Sequence, residues 1–108
     1  MEHDAVAASL AELGNSHRLA VFRFLVKAGY RGAPVGDIQQ ALGIPASTLS
    51  HHLARMAKVG LIRQERRGRT LVCLPQYQHL EDLVEFLQEE CCAGVSVEPA
   101  EVSLDHDA

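Results

Sequence analysis

The run Ile44-Pro45-Ala46-Ser47-Thr48-Leu49-Ser50-His51-His52-Leu53, followed by Lys58-Val59-Gly60-Leu61-Ile62 and then by Arg66-Arg67-Gly68-Arg69, decides the fold. Pro45 opens a helix at a position where its missing N–H costs little. Leu49, Leu53 and Met56 recur at i, i+4 and i+7, which makes one buried stripe. Ser47, Ser50, His51 and Ala54 lie opposite, with Thr48 and Arg55 on the flank. Gly60 closes the helix. Leu61 to Glu65 and Thr70 to Leu74 are rich in Leu, Ile, Val and Thr and predict two short strands. The intervening Arg66-Arg67-Gly68-Arg69 makes their connection a hairpin with a glycine turn and a basic tip.

Upstream, three further helices are expected. His3 to Leu13 carries Val6, Leu10 and Leu13 on one stripe. Ser16 to Ala28 turns Leu19, Phe22, Leu25 and Val26 inward. After a turn-rich loop from Gly29 to Pro34, Val35 to Leu42 places Ile38, Ala41 and Leu42 inward, and Gly43 stops it. Downstream, Gln76 to Cys92 reads as a last helix with Leu80, Leu83, Val84, Leu87 and Cys91 along its apolar face. The expected fold class is therefore mostly α with a small β-hairpin wing, a winged helix-turn-helix. One domain is expected over residues 1–92, and a mobile acidic tail over residues 93–108.

The charge distribution supports this reading. The chain has 108 residues and a formal net charge of −4, which taken alone disfavours nucleic acid. Yet all ten Lys and Arg precede Pro75, where only Glu2, Asp4, Glu12, Asp37 and Glu65 oppose them; the other nine acids follow. A basic front and an acidic rear suit a DNA reader with a separate assembly region. The helix of small polar residues would enter the major groove, where base edges are distinguishable. Ser47, Thr48, Ser50 and His51 can exchange hydrogen bonds with bases and phosphates. Arg55, Lys58, Arg66, Arg67 and Arg69 would neutralise phosphates. No Ser-His-Asp set or glycine-rich phosphate loop is visible, so an enzyme is not expected. No long apolar run or signal peptide is present, which implies a cytoplasmic protein without membrane contact.

With those residues in view, the chain resembles the ArsR family of small metal- and metalloid-responsive repressors. The likeness rests on Ser47-Thr48-Leu49-Ser50-His51-His52-Leu53, Lys58-Val59-Gly60-Leu61-Ile62, Arg67-Gly68-Arg69 and Gly14-Asn15-Ser16-His17-Arg18-Leu19, and it runs from about Ala5 to Cys92. The resemblance implies a homodimer built from the first and last helices, with an inverted-repeat operator on double-stranded DNA and release when an inducer binds. The apolar stripes Val6, Leu10, Leu13 and Leu80, Leu83, Leu87 fit that dimer independently. Two-fold symmetry places the half-sites about one helical turn, roughly 34 Å, or a multiple apart.

Inducer sites differ within the family. The arsenic-binding Cys-x-Cys of the third helix is absent, because Val35-Gly36-Asp37 stands there. The zinc motif Asp-x-His of the last helix is absent too, since His79 stands alone, and zinc is the less suited inducer. Cys91-Cys92 with Cys73 remain, a pattern that looks like members sensing methylated trivalent arsenic. Arsenite or methylarsenite is then the expected inducer, with no permanent cofactor. Trivalent arsenic is soft and prefers thiolates; arsenite takes three sulfurs, a methylated arsenical two. Two other roles stay open for these cysteines: core packing, and a thiol-redox or persulfide switch. His17, His51, His52 and His79 are expected in structural or DNA-contacting roles, and His3 and His106 in water.

Overall fold

A computed structural model describes residues 1–97 of the chain. Of the expected tail, residues 98–108 lie outside the described part, and 93–97 are exposed and form neither helix nor strand. The order is α1 (His3–Leu13), α2 (Ser16–Ala28), a 3-10 turn (Gly29–Arg31), β1 (Ala33–Pro34), α3 (Val35–Leu42), α4 (Ala46–Lys58), β2 (Ile62–Arg67), β3 (Thr70–Pro75) and α5 (Tyr77–Gln88). The winged helix-turn-helix is as expected: α3 and α4 form the helix-turn-helix, and the β2–β3 hairpin forms the wing.

Two helix starts have a local cause. Asn15 caps α2, its side chain accepting from the Arg18 N–H at 3.1 Å. Pro45 is the N-cap of α4 rather than its first helical residue, with extended ψ of 147°. Antiparallel pairing joins Arg67 to Thr70, so Gly68 and Arg69 alone make the hairpin turn. Gly68 takes φ of 65°, which the first position of a glycine-led two-residue turn demands.

The sheet has a third strand that the sequence reading placed in a loop. β1 pairs antiparallel with β3, through Ala33 with Cys73 and Pro34 with Val72, so β3 is central in the order β1-β3-β2. Two residues are too few to show a strand period. Gly32 makes this approach possible. It sits at φ of 70°, and a Cβ there would collide with the Cys73 carbonyl oxygen and lie 2.8 Å from the Leu74 side chain. Gly32→Ala is expected to cost about 3 kcal/mol through backbone strain and overpacking. A urea midpoint unchanged by the substitution would contradict this.

The core gathers Val21, Phe22 and Leu25 of α2, Ile38 of α3, Leu49, Leu53 and Met56 of α4, and Leu61, Ile62 and Cys73 of the wing base. The expected inner faces of α3 and α4 are present, except that Ala41 is exposed. In α2, Val21 takes the inward place, while Leu19 and Val26 lie exposed at 43% and 37%. Within the expected dimer stripes, Val6 and Leu83 are buried inside the protomer and Leu10 and Leu87 remain open, as does Val84 of α5 outside those stripes. The last helix is shorter than expected. It stops at Gln88, so Cys91 does not continue its apolar stripe. Glu89 and Glu90 place negative charge at the negative end of the helix dipole, with no basic residue in the last turn. Glu89 turns extended, and Glu90 and Cys92 take left-handed φ of 57° and 63°.

Candidate nucleic-acid interface and thiol pair

The amphipathic pattern of α4 decides what it can present. Leu49, Leu53 and Met56 are buried to 1% exposure or less, which anchors one side of the helix in the core. Ser47, Thr48, Ser50, His51, Ala54 and Lys58 are exposed on the remaining surface. That surface is narrow, hydrogen-bonding and without bulky apolar groups, as close approach to base edges requires. At the wing, Arg66, Arg67 and Arg69 are exposed on or beside the turn. Glu65 bridges Arg63 at 3.0 Å and Arg67 at 2.9 Å. Such exposed pairs contribute about 0–1 kcal/mol and yield readily to a phosphate. Among the described residues no carboxylate pairs with Arg66 or Arg69.

Arg55, expected to meet a phosphate, is engaged within the protein. Its Nε donates to Glu12 Oε1 at 2.8 Å and its Nη2 to Glu12 Oε2 at 3.1 Å. Glu12 is 8% exposed on the inner stripe of α1, beside Val6 and Ser9. It also pairs with Arg18 Nε of α2 at 3.0 Å. The Arg55 hydrogen bonds hold the Glu12 carboxyl below its ordinary range against the opposing effect of burial, with the charges of Arg55, Arg18 and His51 adding to the lowering.

Arg18 continues inward to His52, with Nη1 3.3 Å from the ring Nδ1. The His17 and His52 rings meet edge to face at 5.8 Å. His52 is thus structural, whereas His51 faces outward. Burial, and then the charges of Arg18, His17, His51 and Arg55, hold the His52 ring below its ordinary value of 6.5. The unfolded chain therefore binds this proton more readily than the folded one. Stability is complete above pH 6.5 and declines as pH falls through that value toward the lowered folded one. Glu12 adds a second loss as pH falls below its ordinary 4.5 toward its own lowered value. Thermal melts from about pH 8 to pH 5 should show Tm falling below the ordinary imidazole range, with His52→Gln flattening that limb. A wild-type Tm constant across this interval would contradict the assignment.

A second tie joins α1 to α5, where fully buried Ser9 Oγ lies 2.8 Å from His79 Nε2. His79 is structural here. Glu12, Arg18, Ser9 and His79 were not identified as a set from the sequence. The available signal was a serine and a glutamate at i+3 and i+6 from Val6, on a stripe that otherwise reads as apolar.

The three cysteines occupy two different environments. Cys73 is 0% exposed on the central strand, covered by the core and approached by the Gln64 amide at 3.6 Å. Burial pushes its thiol above the ordinary value, only partly offset by Gln64. Cys91 and Cys92 are exposed in the turn after α5, with their sulfurs 3.4 Å apart. Backbone bonds from Cys91 N–H to Gln88 O at 3.1 Å and from Ala93 N–H to Glu90 O at 3.0 Å shape this turn. Among the described residues no three His, Cys, Asp or Glu side chains come close enough to share a metal ion. The expected trio is therefore not gathered within one protomer: it divides into an accessible pair and a core thiol.

Comparison with known proteins agrees with the geometry. A helix-turn-helix domain family matches residues 13–65, which span α2 through most of β2. The HTH-type transcriptional regulator YgaV of Escherichia coli is 27% identical over 89 residues, covering 82% of this chain and 88% of that protein. The HTH-type transcriptional regulator NmtR of Mycobacterium tuberculosis is 30% identical over 80 residues, covering 74% of this chain and 64% of NmtR. An ArsR-like transcriptional regulator from Rhodococcus sp. RHA1 superimposes with a TM-score of 0.71 at 17% identity, over 80% of this chain and 78% of that one. No helix among the described residues is long and apolar enough to cross a membrane. The outward polar face of α4 and the arginine-tipped wing thus stand on a winged helix-turn-helix fold that the chain shares with these transcriptional regulators.

Proposed function

We propose that this protein is a cytoplasmic, homodimeric repressor of an arsenic-resistance operon. It holds an inverted-repeat operator and releases it when Cys91 and Cys92 capture a trivalent arsenical. The observation that carries the reading is the pair of exposed sulfurs 3.4 Å apart. That distance is well beyond a disulfide's 2.05 Å or so, and the eight-membered ring of a vicinal disulfide is strained. One soft atom between the two sulfurs meets neither constraint. With Cys73 in the core, two sulfurs rather than three are presented. This favours methylarsenite, which keeps one position for carbon, over arsenite. Zinc, which takes four ligands in structural sites, is less well served.

The dimer has its support in Leu10, Val84 and Leu87, left open on α1 and α5. Ser47, Thr48, Ser50 and His51 would read the groove, and Lys58, Arg66, Arg67 and Arg69 the phosphates. Release requires that the arsenical favour one dimer shape over another, with a coupling of about 1–3 kcal/mol. A second reading, a thiol-redox or persulfide switch, draws on the exposure of the same two thiols. Fluorescence anisotropy of promoter DNA, titrated with arsenite, methylarsenite, zinc and peroxide, separates them. Release by methylarsenite under reducing conditions supports the arsenical reading; release by peroxide alone transfers the function to redox sensing.

A further inference from the structure

We infer that Glu12 is a positioning residue for DNA recognition: from α1 it fixes the recognition helix through Arg55 and withholds that arginine from the phosphate backbone. Both carboxylate oxygens of Glu12 take a guanidinium N–H of Arg55, at 2.8 and 3.1 Å, which is the fork-to-fork arrangement of strong charged pairs. The same carboxylate meets Arg18 at 3.0 Å, and Arg18 Nε is also 2.7 Å from the Glu12 backbone oxygen. Arg18 in turn reaches His52 at 3.3 Å. His52 and Arg55 stand one turn apart on α4, on the flank that turns toward α1 and α2. Two successive turns of the recognition helix are thus tied, directly or through Arg18, to one nearly buried carboxylate.

The arrangement has a functional consequence beyond stability. Arg55 is about half exposed in its side chain, and Glu12 only 11%. Without the carboxylate, that guanidinium would be free to turn toward DNA. A phosphate contact carries no sequence information, whereas the angle of α4 in the groove sets every base contact. Glu12 therefore exchanges nonspecific attraction for defined placement. It also links placement to α1, the helix that carries the open Leu10. The inference rests on the DNA binding proposed above and is independent of the thiol pair and its inducer.

The test compares promoter and random duplexes across a salt series, using the full chain and its Glu12→Gln and Arg55→Gln variants. Glu12→Gln should weaken promoter binding about tenfold. It should also tighten random binding and steepen the salt slope by about 0.9 per protomer as Arg55 turns to a phosphate. Restoration of promoter affinity by Glu12→Asp would support the positioning role. If promoter and random affinities rise together, Glu12 acts only as a repelling charge and the inference fails; unchanged values also overturn it. Should Glu12→Gln not fold, Arg55→Gln decides. Lost specificity at an unchanged slope supports the inference, while a slope lower by about 0.9 per protomer places Arg55 on a phosphate in the native complex and overturns it. No change in either quantity overturns it as well. A wild-type protein that binds no duplex at low salt would instead refute DNA binding itself.

Discussion

Replacing Arg66, Arg67 and Arg69 together by alanine should weaken binding to promoter and random duplexes alike, by roughly a hundredfold or more at moderate salt. All three residues are exposed at the wing, and among the described residues only Arg67 is engaged, in a surface pair with Glu65 that costs little to break. Each phosphate neutralised releases counterions and contributes about 0.9 to the slope of log K against log salt. A dimer with two wings should therefore lose about five units of slope. Glu65, left without Arg67, adds repulsion to the loss. Anisotropy at four or five salt concentrations measures both quantities. A promoter-only loss, with random binding and slope preserved, would mean that the wing reads bases, and the division of labour proposed here would be wrong.

Serine at Cys91 or Cys92 should leave operator affinity intact and remove the response to methylarsenite. The sulfurs stand 3.4 Å apart in an exposed turn that follows α5, outside the core. DNA binding therefore has no need of them, whereas a bridging arsenical needs both. Loss of either should forfeit the whole coupling, typically a 5–150-fold change in operator affinity. Cys73→Ala provides the contrast. It removes a buried sulfur from the core and should lower stability by about 1–2 kcal/mol, yet still release DNA on addition of methylarsenite. If Cys73→Ala abolishes release in a folded dimer while Cys91→Ser retains it, the roles of the thiols are reversed from this account.

Much of the architecture was legible because α3, α4 and the hairpin obey strong local rules. Leu49, Leu53 and Met56 carry helical spacing, and Gly68 between β-rich runs signals a tight turn. What escaped depends on tertiary pairing. β1 is two residues long and exists because β3 offers it an edge. The extent of α5 was misread because leucine periodicity predicts where a helix packs, while the charges of Glu89 and Glu90 oppose its continuation. Cys91 thereby lies in a turn rather than on an apolar stripe, and Cys73 lies in the core. Leu19 and Val26 fit the α2 stripe by spacing, yet the packed face is centred on Val21, Phe22 and Leu25. The Arg55–Glu12 pair escaped because its two residues lie 43 apart in sequence. Glu12 gave no signal of burial beyond its position on a stripe. Charged contacts between distant helices follow from the packing, and local sequence does not encode them.

Native mass spectrometry of the operator-bound dimer during a methylarsenite titration tests the central claim most directly. The account predicts one methylarsenic adduct per protomer, carried by Cys91 and Cys92, appearing together with free DNA. Adducts that accumulate on a dimer still holding its operator would contradict it, as would DNA leaving a protein that carries no arsenic.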